Sequence, residues 1–329
     1  MTIYPWQQSQ WQTLLAERKQ GRLPHALLLT GQHGLGKLHF ARVLAKAVLC
    51  EKHSDFACDQ CRGCRLFDAG NHPDFLNVEV EEKSKAIKVA QIRELIAKLN
   101  QTSQRSGYQI VIINPAEAMN RAAANAFLKT LEEPAGQVLL LLISHQTGNL
   151  PATVLSRCQR VTFSGSDNAA ILDWLKSALP ADVNAPLLLK MANHAPLGAL
   201  QLMEANYLKL RDDLLAHLWK IQQKQVDPIA PIKAILQHDR NLLMQAFVTI
   251  ILDVLRLQLN IDVPYIVNED RIKPLQELSV LIDRDHLLAL LTHLQEAQKL
   301  LSTSVSVNVQ MMLESLLLQW QLRSLCHAR

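Results

Sequence analysis

The sequence predicts a parallel, five-stranded α/β domain built around a phosphate-binding type of loop, followed by two all-α domains. Three observations carry this. First, an apolar run over 26–30 leads through Gly31-Gln32-His33-Gly34-Leu35-Gly36-Lys37-Leu38 into a helical stretch over 39–50. Strand, glycine turn and helix is the setting in which backbone N–H groups curl around a phosphate. Second, strand-like runs over 74–80, 108–113, 138–143 and 160–163 alternate with helical patterns, and such alternation builds a parallel sheet. Third, beyond Gly165 no convincing strand remains and leucine-rich helical spacing takes over.

Each element has a local reason. Residues 7–20 read as a helix with Trp11, Leu14 and Leu15 on one side, ended by Gly21, with Pro24 ahead of the first strand. After the glycine turn, Phe40, Val43, Leu44, Ala47 and Val48 fall at helical spacing, as do Ile92, Leu95, Ile96 and Leu99. The run 108–113 is apolar or aromatic except for Gln109, as expected for a strand covered on both faces. Residues 116–131 read as one helix, stopped by Glu132-Glu133-Pro134. Residues 169–205 read as short helices broken by Pro180, Pro186 and Pro196. From Tyr207 the helices lengthen. Leu243, Phe247, Ile250, Ile251, Val254 and Leu257 form one apolar stripe, and Met311, Met312, Leu313, Leu316 and Leu317 another. Core packing in a bundle explains both stripes, with part of the surface serving an oligomer collar. The expected domains are 1–165, 166–206 and 207–329.

The bulk properties exclude some classes. At 329 residues there is material for two or three cores. No apolar run approaches the roughly 18 uninterrupted residues of a membrane span. The first residues, Met1-Thr2-Ile3-Tyr4-Pro5-Trp6, show neither a basic nor an apolar leader region, so a cytoplasmic address and no membrane partner are expected. A net charge of +4 gives only weak support for a nucleic-acid partner.

Cys50, Cys58, Cys61 and Cys64 follow the second helix with the spacing C-x7-C-x2-C-x2-C. In a reducing compartment thiolates favour a metal over disulfides. Four sulfurs satisfy tetrahedral zinc and leave no open position, so the expected Zn²⁺ is structural. Cys158 and Cys326 have no neighbouring partner in sequence and read as buried or incidental.

The glycine turn lacks a part. Gly31, Gly34 and Gly36 allow the curl, and Lys37 sits where a lysine would reach the outer phosphates. The next position needs a hydroxyl to ligate Mg²⁺, and Leu38 has none.

Several stretches together resemble the bacterial clamp-loader ATPases of the AAA+ class. They are Leu23-Pro24-His25-Ala26-Leu27-Leu28 before and in the first strand, the four cysteines, Asn125-Ala126-Phe127-Leu128-Lys129-Thr130-Leu131-Glu132-Glu133-Pro134, and Leu155-Ser156-Arg157-Cys158. Order and spacing agree over residues 1–165, and the helical remainder fits the family's small lid and collar. The resemblance implies a hetero-pentameric loader of motor subunits and a clamp-opening subunit, acting on a sliding clamp and primed DNA in replication. Motor members end the third strand in an Asp-Glu pair and carry an arginine in the lid. Here the matching residues are Asn114-Pro115 and Leu197. With Leu38, these departures imply a member that does not hydrolyse ATP, in a complex whose DNA polymerase activity resides elsewhere.

Arg157, flanked by Ser156 and Cys158, is nevertheless retained. In the family this arginine enters a neighbour's ATP site. The alternative is a surface arginine paired with a carboxylate. Retention of Lys37 leaves two readings open: a loop holding ATP or ADP without turnover, and a vestigial loop whose lysine is solvated or carboxylate-paired. Ser144 and His145 fall where the family places a polar sensor, and Lys129 and Arg160 could meet DNA or simply be solvated. The rival functions are an active motor subunit of the same loader and a zinc-dependent DNA-binding protein.

Overall fold

The computed structural model describes every residue except 1, 53, 82–83, 102, 104–106, 166–168, 303–307 and 322–329. Cys326 therefore lies outside the described residues. The chain forms two compact units. The first is Met1–Pro180 with His194–Gly198, and the second is Ala181–Asn193 with Ala199–Arg329.

The first unit is the expected α/β layer structure. Its elements are α1 (Gln8–Lys19), β1 (Ala26–Thr30), α2 (Lys37–Leu49), α3 (Arg62–Asp68), β2 (Phe75–Glu79), α4 (Val89–Leu99), β3 (Tyr108–Asn114), α5 (Arg121–Glu132), β4 (Gln137–Ser144), α6 (Ala152–Leu155), β5 (Gln159–Thr162) and α7 (Ala169–Ala178). The five strands are parallel in the order β2-β3-β4-β1-β5. Register places Leu28 of β1 between Leu142 of β4 and Arg160 of β5.

Side chains alternate across this sheet with period two. Leu28, Val111, Ile113, Leu140 and Leu142 pack with Ile92 and Leu95 of α4 and Phe127 and Leu131 of α5. Residues on the opposite face are also buried, including Leu27, Leu29, Ile110, Ile112, Leu139 and Leu141. There α2, with Phe40, Val43, Leu44, Ala47 and Val48 all buried, packs against β3 and β4. Both faces are thus covered, which is why β1, β3 and β4 read as continuous apolar runs. The edge strands β2 and β5 are mixed and partly exposed.

The expected helix over 116–131 is interrupted. A 3-10 turn, Ala116–Ala118, comes first, and α5 begins only at Arg121 because the Asn120 side chain accepts from the Ala123 amide. That N-cap restarts the chain in a new direction.

The second unit is helical: α8 (Ala185–Met191), the greater part of α9 (Pro196–Glu204), α10 (Tyr207–Gln222), α11 (Ile232–Ile235), α12 (Arg240–Gln258), α13 (Ile272–Leu281), α14 (Arg284–Ser302) and α15 (Val309–Gln321). Pro186 and Pro196 lie in the first turns of α8 and α9, so they start helices rather than break them. Among the described residues α12 is the one helix long and apolar enough to cross a membrane by length and composition. It is the central helix of this unit, packed on α10, α13 and α14, with Leu243, Phe247, Ile250, Ile251 and Val254 buried. The last stripe is partly corrected: Leu313, Leu316, Leu317 and Trp320 of α15 are buried, but Met311 is 65% exposed.

A buried polar network crosses this unit. Asp253 of α12 is fully buried and accepts from Val267 N, Asn268 N, Asn268 Nδ2 and Arg256 Nη1 at 2.7–3.0 Å. Buried Arg211 of α10 forks onto Asp270 at 2.7 and 2.8 Å. Removing one partner from such a network strands the others without water. Asp253→Ala should lower unfolding stability by about 2–4 kcal/mol, read from urea titration. Asp253→Asn, which keeps two of the acceptor roles on one oxygen, should lose less.

Candidate functional site

The glycine turn follows β1 at the carboxyl edge of the sheet and opens α2. Gly31, Gly34 and Gly36 all have positive φ, at 139°, 83° and 77°. At Gly36 a side chain is excluded twice over, because an added Cβ would lie 2.7 Å from the Tyr4 ring.

Lys37 does not point into open space. It is 2% exposed, and its Nζ lies 2.5 Å from Gly31 O, 2.7 Å from Gln32 O and 2.9 Å from His145 Nδ1. The ammonium can only donate, so Nδ1 accepts and the His145 ring is neutral with its proton on Nε2. Burial brings Lys37 down to about 8, with Glu117 opposing the shift. Burial, then the nearby Lys37 charge, lowers His145 to about 4. Lys37 is therefore neither solvated nor tied to a carboxylate by an ion pair: the loop's own carbonyls hold it.

Three further loop carbonyls accept from other segments. Trp6 Nε1 donates to Leu35 O at 3.1 Å, and Gln7 Nε2 donates to Leu35 O and Gly36 O at 2.9 and 3.1 Å. Leu197 N donates to Gly34 O at 3.0 Å. Tyr4 stacks on Trp6 at 4.7 Å between centroids and 2° between planes, and Trp174 of α7 meets Trp6 edge-on at 5.0 Å. His39 lies against the other side of the cluster, 4.7 Å from Tyr4. No spacing in the sequence signals this aromatic strap around the loop.

Leu38 offers only an aliphatic side chain, and β3 runs out into Asn114-Pro115. Glu117, three residues past Asn114, does approach the loop. Its Oε1, however, accepts from the amides of His145 and Gln146 at 2.8 and 3.2 Å, capping the end of β4. Ser144, the other expected sensor, is fully buried.

The four cysteines converge. The sulfurs of Cys50, Cys58, Cys61 and Cys64 lie within 4.8 Å of one another and could hold a metal such as zinc. Sulfurs on one tetrahedral ion with bonds of about 2.3 Å stand roughly 3.8 Å apart, and Cys58 and Cys64 are at 4.0 Å. Three amides already point at sulfur: Cys58 N to Cys50, Cys61 N to Cys58 and Cys64 N to Cys61, each at 3.3 Å. Such donors favour thiolate, the ligating form. Amide donation from Gln60 and Cys61 lowers the Cys58 thiol, whereas burial raises that of Cys64. Lys46 of α2 braces the module, reaching Asp59 at 2.5 Å and Asp68 at 2.7 Å.

Arg157 follows α6 and is 31% exposed at the side chain. Its Nε donates to Glu132 Oε1 at 2.6 Å, and Nη2 donates to the same oxygen. Nη1 donates to Thr153 O and Ser156 Oγ at 2.9 and 3.3 Å. Cys158 is half-buried, its thiol raised to about 11 by burial. Lys129 and Arg160 are exposed.

Lys37→Ala should destabilise the chain by about 1–3 kcal/mol, since it strips a donor from two carbonyls and a ring nitrogen. The neutral His145 gives a pH signature. Its folded value lies below the ordinary 6.5, so its contribution is complete above that pH and is lost as pH falls towards about 4. Urea midpoints taken from pH 7 to pH 4 should show this loss, and His145→Gln should flatten that part of the profile. Chelation should lower the melting temperature once metal loss is verified. Unchanged melting after verified loss would mean that the cysteines hold no structural ion.

Two family models match the chain. One, described as DNA polymerase III, delta subunit, covers residues 6–167, and one described as DNA polymerase III, delta subunit, C terminal, covers residues 205–321. DNA polymerase III subunit delta' of Pseudomonas aeruginosa is 37% identical over 322 residues, 97% of either chain. Its counterpart from Yersinia pestis is 32% identical over 328 residues, 98% of this chain and 96% of that one. Among solved structures, a DNA polymerase III gamma subunit-related protein from Thermotoga maritima aligns with a TM-score of 0.43 and 18% identity, over 96% of this chain and 99% of its own. On the near full-length identities, this chain belongs to the delta' subunit family of the DNA polymerase III clamp loader, within the AAA+ class.

Proposed function

We propose that this delta' subunit is a non-hydrolysing member of the loader that completes a neighbour's ATP site with Arg157. The observation that carries the reading is the state of the glycine turn. Lys37 is bonded to Gly31 O and Gln32 O, and no hydroxyl follows it at Leu38. The strand that should bring acidic groups ends in Asn114-Pro115, and Leu197 stands where motor members place arginine. Magnesium at this loop would lack its ligands. ATP or ADP would have to draw Lys37 away from three partners, and turnover would still lack a metal and a polarising acid.

Arg157 keeps the feature that a trans role needs. It sits on the surface, so an adjacent subunit can reach it. A guanidinium beside the transferred phosphoryl group neutralises charge as that charge spreads over the equatorial oxygens. Gly31, Gly34, Gly36 and Lys37 then act as a closed, structural remnant. Cys50, Cys58, Cys61 and Cys64 hold a structural Zn²⁺, with Lys46 fixing the module to α2. Residues 1–165 form the AAA+ domain, 166–206 the lid and 207–329 the collar. The partners are the motor subunits, the clamp-opening subunit, and, within the complex, the sliding clamp and primed DNA. The site of action is the cytoplasm.

The test is reconstitution with the motor and clamp-opening subunits. Arg157→Ala should leave melting and assembly unchanged. It should depress DNA-stimulated turnover at the adjoining site by a factor on the order of 10³. The isolated wild-type chain should show no turnover of its own. Brisk hydrolysis by the chain alone, or full clamp-loading rate with Arg157→Ala, would end this reading.

A further inference from the structure

We infer that Glu132 competes with the neighbour's nucleotide for Arg157, holding the guanidinium on its own subunit until ATP occupies the adjoining site. This rests on the trans role proposed above.

The geometry is that of an occupied finger. A guanidinium has five N–H donors. Glu132 Oε1 takes the donors of Nε and Nη2, and Thr153 O and Ser156 Oγ take those of Nη1. With four donors engaged and the charge faced by a carboxylate, Arg157 has one Nη2 donor left, and it cannot present the Nε–Nη2 edge to phosphate oxygens without letting Glu132 go. Glu132 is also out of place by local preference. It is the last residue of α5, where the negative end of the helix disfavours an anion. Among the described residues Arg157 is the only hydrogen-bonding partner of its side chain. A residue that opposes the helix and serves a single partner is explained by that partner.

Exposure sets the strength of this hold. The two side chains are 31% and 48% exposed, and ion pairs at such sites contribute little because water screens them. The γ-phosphate with its surrounding charge is the stronger acceptor. The hold is therefore reversible: hydrogen bonds and an ion contact are exchanged, with no covalent bond made or broken. Glu132 tunes the adjoining site's hunger for ATP rather than its chemistry.

The experiment uses the reconstituted loader, with only the motor site next to this subunit competent, stimulated by primed DNA and clamp. Glu132→Gln keeps shape and hydrogen bonding but removes the charge. It should lower KM for ATP about two- to fivefold, leave kcat within about twofold, and leave melting unchanged. In the Arg157→Ala background the same substitution should have no effect on KM. A KM that is unchanged or raised by Glu132→Gln overturns the inference. If Arg157→Ala depresses turnover while Glu132→Gln leaves KM where it was, the trans role stands and the competition fails. If Arg157→Ala changes nothing, both fall together. A purely structural Glu132 would shift melting without moving KM.

Discussion

A buried ammonium must be solvated by something, and at Lys37 that something is the loop it belongs to. An uncompensated charge there would cost several kcal/mol. Two main-chain carbonyls and a neutral histidine offset the cost. The consequence spreads outward. To aim its carbonyls inward, the loop needs left-handed backbone at its glycines, and those glycines let Tyr4 and Trp6 close over it. The carbonyls of Gly34, Leu35 and Gly36 are capped by Leu197, Trp6 and Gln7. In this structure the glycine turn is an internal joint between β1, α2 and the segment ahead of α1.

The sheet was legible because its chemistry is repetitive. β1, β3 and β4 are buried on both faces, so their composition alone marks them, and observed bounds differ from expectation by a residue or so. The cysteine module was legible because ligand spacing is local. The break before α5 is not legible in apolar periodicity because it depends on one asparagine acting as a cap. The strap of Tyr4, Trp6 and Trp174 was missed for another reason. It joins Tyr4 and Trp6 to Trp174, far off in sequence, and none of them repeats or forms a motif. Lys37 could be placed in the loop from sequence but not pointed, since the same spacing serves a lysine reaching outwards and one folded back. A carboxylate contact for Arg157 is open from sequence; that the carboxylate is Glu132, and that it takes two donors, follows from the fold.

The two ends of the α/β unit's chemistry divide the labour of stability and of action. The cysteine module is tied to the sheet's helical cover by Lys46, one of whose aspartates, Asp59, lies between Cys58 and Cys61 and the other, Asp68, past Cys64. It is a rigid attachment. Arg157 is the opposite: a half-exposed charge on a short connection after a single turn of helix, held by contacts that water weakens. Rigidity sits at the cysteines that could hold a metal, and exchangeability at the arginine proposed to act on a neighbour.

Trp6 and Trp174 touch each other beside the loop, and Trp6 hydrogen-bonds to it, whereas Trp11 stacks on Phe56 and Trp320 is buried in the helical unit. Indole emission depends on polarity and on contact with neighbouring rings. The subunit thus carries a native optical gauge at this joint: anything that pries the strap from the glycines must also change the colour and yield of its ultraviolet glow.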